Sequence, residues 1–139
     1  MEKIKEILVT KVDYSRLNAL ILQKLDDRSN SLRDLNYLNI EIKRAQKVDS
    51  KKISPDIITM DSQVQITFLN NNQSKVVKLV YPEKASLKDG QISVLSPLGC
   101  ALLGYRKADI VSFNTPGGVQ TIKIDNVLFQ PEAHGIDLD

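Results

Sequence analysis

The chain reads as an α+β protein in which an N-terminal helical hairpin precedes an antiparallel sheet wrapped on one short helix. Three observations predict this. Apolar residues recur at helical spacing only before residue 46, and they alternate with period two from residue 64 onward. Between two groups of strands, "SPLGCALLG" (residues 96–104) holds a capped start, one apolar turn or two, and a glycine stop.

Ile7-Leu8-Val9-Thr10 is β-prone and leads to Asp13, read as the N-cap of a first helix of about 14 residues. Leu17, Leu20 and Ile21 give that helix its apolar face. Asp26 and Asp27 fall in the polar turn that follows, the tip of the hairpin. Ser31 and Asp34 resemble a capping box for a second helix of about 17 residues. Its Leu35, Leu38, Ile42 and Ala45 form a narrow seam of the kind found in a short coiled coil.

A charged linker, Val48 to Pro55, separates this part from the strands, so the chain divides into residues 1–52 and 53–139. Val64, Ile66 and Phe68 alternate with polar neighbours, Asn70-Asn71-Asn72 turns the chain, and Lys75 to Tyr81 returns before Pro82. Ile92-Ser93-Val94 is a short strand. Ile110–Phe113 and Val119–Phe129 form a hairpin around Thr115-Pro116-Gly117-Gly118, where Pro and Gly stand in the order of a type II turn. Within the short helix Ser96 is the cap, Pro97 the first residue and Gly104 the left-handed residue beyond the end.

Composition limits the functions available. Of 139 residues 42% are apolar and 26% charged, enough for a core, and the net charge of +2 is too small to make nucleic acid the main partner. Residues 1–52 carry 12 Lys/Arg against 8 Asp/Glu, whereas residues 53–139 carry 7 against 9, so the two parts present different surfaces. The single cysteine, Cys100, forbids an internal disulfide, and no apolar run has the length of a membrane span. The expectation is a cytoplasmic protein, a monomer, with no membrane and no cofactor. Cys100 is expected to be buried and inert, Asp109 to close a turn, and His134, with no ligand-spaced neighbour, to hold no metal.

The run Ile92 to Gly99, with Ala101 to Gly104, Asp109 and Thr115-Pro116-Gly117-Gly118, resembles the C-terminal domain of the Gre transcript-cleavage factors. Within that superfamily the chain resembles the Rnk group, the regulators of nucleoside diphosphate kinase, more closely than the Gre factors themselves. Arg44-Ala45-Gln46, Ile58 to Ser62, Leu79-Val80-Tyr81-Pro82 and Gln130-Pro131-Glu132-Ala133 carry that likeness in collinear order. The resemblance implies an FKBP-like C-terminal domain that docks on bacterial RNA polymerase at the rim of its secondary channel, in competition with Gre factors. It implies no sequence-specific nucleic-acid binding and no enzymatic activity. Polymerase contacts are expected at Ser96 and Pro97 and at the exit residues Arg106 and Lys107.

Two departures stand out. Leu95 occupies the place where Gre factors carry an acidic residue, and the residues three past Asp26 and Asp27 are Ser29 and Asn30, so the Gre acidic pair that holds magnesium is missing. Two further functions remain beside the regulator. One is a full cleavage factor, which the tip sequence opposes. The other is a prolyl isomerase, for which Phe68, Phe113 and Phe129 would be a thin aromatic lining.

Overall fold

A computed structural model describes residues 6–25 and 32–136, which excludes Asp26, Asp27 and Ser31. Seven strands and three α-helices follow in the order β1 (Leu8–Thr10), α1 (Lys11–Lys24), α2 (Leu32–Arg44), β2 (Gln46–Val48), β3 (Gln63–Phe68), β4 (Gln73–Val80), β5 (Gln91–Ser93), α3 (Pro97–Leu102), β6 (Ile110–Thr115) and β7 (Gly118–Phe129). The first helix starts earlier than its sequence suggests. Thr10 is the cap, its Oγ1 accepting from the Asp13 N–H at 3.0 Å, and Asp13 lies inside the first turn. Both residue types can cap, and pairing of β1 ends at Thr10, so the helix can begin at once with Thr10 as its cap.

Asp13 performs a different task. Its buried carboxylate accepts the Met60 N–H at 3.0 Å, tying α1 to the segment before β3. A carboxylate on a backbone N–H is among the stronger hydrogen bonds, and it satisfies a donor that water cannot reach.

The second helix is shorter than its apolar seam predicts, because Gln46–Val48 leave it to pair in parallel with β1. Leu35, Leu38, Ile42 and Ala45 are all buried, as the spacing requires. Beyond β2 the charged segment is ordered. Ser50 is buried, and Lys11 and Lys52 reach Asp49 at 2.9 and 3.8 Å, holding the partly exposed Asp49 carboxyl below the usual range chiefly through its hydrogen bond with Lys11.

The main sheet has the order β5-β4-β3-β7-β6. The pairs β3–β4, β3–β7 and β6–β7 are antiparallel, but β4–β5 is parallel, so the sheet is mixed rather than wholly antiparallel. Two 3₁₀ turns, Pro82–Lys84 and Leu87–Asp89, lengthen the connection enough to carry the chain back across and restart it in the same direction. In the β6–β7 turn the left-handed residue is Gly118, with φ of 118°, and Gly117 has no positive φ, so the turn is not type II. The Asn70–Asn72 turn is as expected. Asn72 has φ of 58°, and Asn70 also reaches across to β7, accepting from Thr121 N at 2.9 Å.

One apolar cluster runs from the helices into the sheet, joining Leu17, Ile21, Leu38 and Ile42 to Val64, Ile66, Leu102, Ile122 and Ile124. Two buried polar contacts close the far end. Gln130 donates its side-chain amide to the carbonyls of Ser54 and Ile57 at 2.8 and 2.7 Å, and Thr59 donates to Glu132 Oε1 at 2.7 Å. These contacts bring together two of the separated sequence motifs, at 58–62 and 130–133. Among the described residues no helix is long and apolar enough to cross a membrane.

Candidate docking surface

α3 is positioned by its first turn. Ser96 Oγ accepts from the Gly99 N–H at 3.0 Å and donates to the Ser93 carbonyl at 2.7 Å, so its hydroxyl is engaged on both sides. Pro97 takes the first helical position, where a missing N–H costs nothing. Gly99, Cys100, Ala101 and Leu102 are buried, while Pro97 and Leu98 remain half-buried. The helix is therefore a plug for the sheet that leaves only its capped end at the surface. Burial, followed by the Glu41 carboxylate, pushes the Cys100 thiol far up, keeping it protonated.

Arg106 and Lys107 lie past the other end of the helix, with exposed side chains. Their backbone is fixed. Arg106 N donates to Asp109 Oδ2 at 2.9 Å, and Lys107 N to the Asp56 carbonyl at 2.9 Å. Asp109 is thus the turn-closing residue its position suggests. The helix stands between the two pairs, so Ser96 and Pro97 form one locus and Arg106 and Lys107 another. His134 stacks on Phe129, the ring centroids 4.7 Å apart.

Beside the capped end of α3 lies a cleft of about 640 Å³ that the sequence reading missed. Leu98 connects the helix to it, and Phe68, Val77, Leu87, Ile92 and the lysines Lys75 and Lys88 complete most of the wall. Lys75 Nζ sits 5.9 Å from the centre of the Phe68 ring, within cation–π range. Leu87 is 87% exposed, held out by a turn in which Ser86 Oγ donates to Asp89 Oδ2 at 3.0 Å. Its signal in the sequence is an apolar residue alone in a polar stretch, explained by neither helical nor strand period. Of the three phenylalanines only Phe68 lines the cleft.

A second polar group lies on the helix side. Arg44 binds Glu41 Oε2 at 2.7 Å and the Tyr105 hydroxyl at 3.3 Å. Burial, then Glu41, raises the Tyr37 and Tyr105 phenols, so both stay neutral.

Comparison with known proteins gives these features a context. A family model described as "Transcription elongation factor, GreA/GreB, C-term" matches residues 50–129. The regulator of nucleoside diphosphate kinase from Escherichia coli K12 is 35% identical over 93% of this chain and 93% of its own length. Transcription elongation factor GreA of Brucella anthropi is 32% identical over 75% of this chain and 62% of its own. Among solved structures, a prokaryotic transcription elongation factor GreA/GreB from Nitrosomonas europaea superposes with a TM-score of 0.72 at 30% identity, covering 91% of this chain and 100% of that one. The chain belongs to the GreA/GreB family of transcription elongation factors.

Proposed function

We propose that the protein is a regulator that binds core RNA polymerase at the secondary-channel entrance and competes there with Gre factors without stimulating RNA cleavage. Residues 53–139, as an FKBP-like unit, would carry the docking surface, and the helices α1 and α2, as a short coiled-coil hairpin, would obstruct the channel. The reading rests first on family membership and on the near full-length likeness to a regulator of nucleoside diphosphate kinase. The observation that carries the location is the cleft lined by Leu98, the neighbour of Pro97, where exposed Leu87 offers an apolar seat with Lys75, Lys88 and Asp89 around it. Arg106 and Lys107 would make peripheral contacts. Ser96 acts by shaping the helix end, because its hydroxyl is already engaged.

The test is capture of the full chain by purified core polymerase, with and without a Gre competitor. Wild type is expected to bind and to be displaced. Pro97→Glu, at a half-buried helix start where a missing N–H is not required, is expected to weaken binding at least tenfold while circular dichroism stays unchanged. Unaltered affinity in that folded variant would remove the docking site from this end of α3. Stalled complexes given the protein are expected to show no added RNA cleavage. Cleavage that disappeared with Asp26→Asn or Asp27→Asn would instead assign the tip a role in catalysis.

A further inference from the structure

The two edges of the main sheet are treated differently. β5 is three residues long, and its outer side is met by Ser86, which exchanges backbone hydrogen bonds with Gln91 at 2.9 Å in both directions. β6 is six residues long and, among the described residues, ends the sheet on the other side.

Its free groups can be identified. Thr121 of β7 lies opposite Ser112, yet it sends its N–H to Asn70 Oδ1 at 2.9 Å and its carbonyl to Leu69 N at 2.8 Å, both away from β6. In an antiparallel ladder, opposed residues either exchange both bonds or exchange none. The N–H and C=O of Ser112 therefore point outward, and by the period of two so do those of Ile110 and Asn114. The Asp109 carbonyl, one step out of phase, accepts from Ile124 N at 2.9 Å, as this alternation requires.

The edge lacks the usual protection. Residues 110–115, Ile-Val-Ser-Phe-Asn-Thr, include no charge and no proline, and the β6–β7 register has no shift. The side chains of Ile110, Ser112 and Asn114 are exposed.

We propose that β6 is a self-association edge, pairing antiparallel with β6 of a second copy of this chain about a two-fold axis at Ser112. The strand is complementary to itself. Ser112 meets Ser112 of the second copy and Ile110 meets Asn114, each pair exchanging both N–H···O bonds. The intervening Val111 meets Phe113 of the second copy, a favoured pairing of β-branched and aromatic side chains. No like charges face each other. A six-residue strand pair is by itself a small contact beside the ~1,200 Å² of a stable interface, so association is expected to be weak, with the monomer expected from the sequence as the form in dilute solution.

Sedimentation velocity of the full chain over a wide concentration range is expected to show a monomer–dimer equilibrium. Ser112→Lys, which places two ammonium groups at the axis, is expected to abolish the dimer. Ser112→Pro is expected to do the same with the fold intact, because the N–H it removes points outward. At a directly opposed, hydrogen-bonded pair the Cα atoms lie ~5.5 Å apart, within disulfide reach. Ser112→Cys is therefore expected to cross-link on oxidation at least tenfold faster than Lys123→Cys, an exposed control on β7. A mixture of Ile110→Cys and Asn114→Cys chains is expected to cross-link to each other in preference to themselves. A monomer at all concentrations, a dimer indifferent to Ser112→Lys, or equal cross-linking of the Ser112 and Lys123 variants would each overturn the proposal.

Discussion

Gly99→Ala is expected to destabilise the protein by about 3 kcal/mol or more, at or beyond the upper end of ordinary overpacking. A Cβ at this position would stand 1.9 Å from the Ser93 carbonyl oxygen and 2.8 Å from the carbonyl carbon. Both atoms are backbone, and the same carbonyl receives the Ser96 hydroxyl, so it cannot move without loss of the cap. Helix propensity alone predicts the opposite sign, since alanine is favoured over glycine by roughly 0.5–1 kcal/mol inside a helix. Urea unfolding followed by circular dichroism decides between them. A midpoint equal to or above wild type would show that α3 does not sit against Ser93. Gly117→Ala, where the nearest atom to a new Cβ is 3.9 Å away, is expected to change stability by no more than about 0.5 kcal/mol.

Leu38→Pro is expected to be more damaging still. Proline inside a helix removes one backbone hydrogen bond and clashes with the preceding turn, a cost of ~3 kcal/mol, and a fully buried leucine is lost as well. Against a total stability of ~5–15 kcal/mol, the variant is expected to be largely unfolded. The loss should not be confined to the helices, because Leu38 and Ile42 belong to the same apolar cluster as Val64 and Ile66. Hydrogen exchange provides the measurement. Amides of β3 and β7 are expected to lose protection together with those of α2. Protection retained in the sheet of the variant would mean that the two parts fold independently.

The elements legible in the sequence are those fixed by local chemistry. Val64, Ile66 and Phe68 mark β3 by alternation, Leu35 to Ala45 mark α2, and Ser96, Pro97 and Gly104 mark the limits of α3 through their backbone preferences. What escaped depends on partners distant in the chain. Gln46–Val48 extend a helical pattern and become a strand only because β1 offers an open edge. Thr10 and Asp13 are equally able to cap, and a buried N–H at Met60, far along the chain, assigns their roles. The parallel direction of β5 follows from a connection whose two 3₁₀ turns have no periodic signature. For the candidate site, Pro97, Arg106 and Lys107 could be named from the sequence, but the cleft could not. Its wall draws on β3, β4, β5, α3 and the turn at Leu87, which only the folded sheet brings together.

The pairing of β1 with β2 carries a consequence for the time course of folding. Leu8 faces Gln46 and Thr10 faces Val48, with both helices enclosed between the two strands. Closing so long a segment costs entropy that three residue pairs repay poorly until the helices have formed and shortened the path. The ribbon is therefore expected to form after the rate-limiting step. Val9→Ala, at a buried position in β1, should leave the refolding limb of the chevron unchanged and steepen the loss of the native state by raising the unfolding rate, with a φ-value near zero. Slowed refolding would place the ribbon in the nucleus instead.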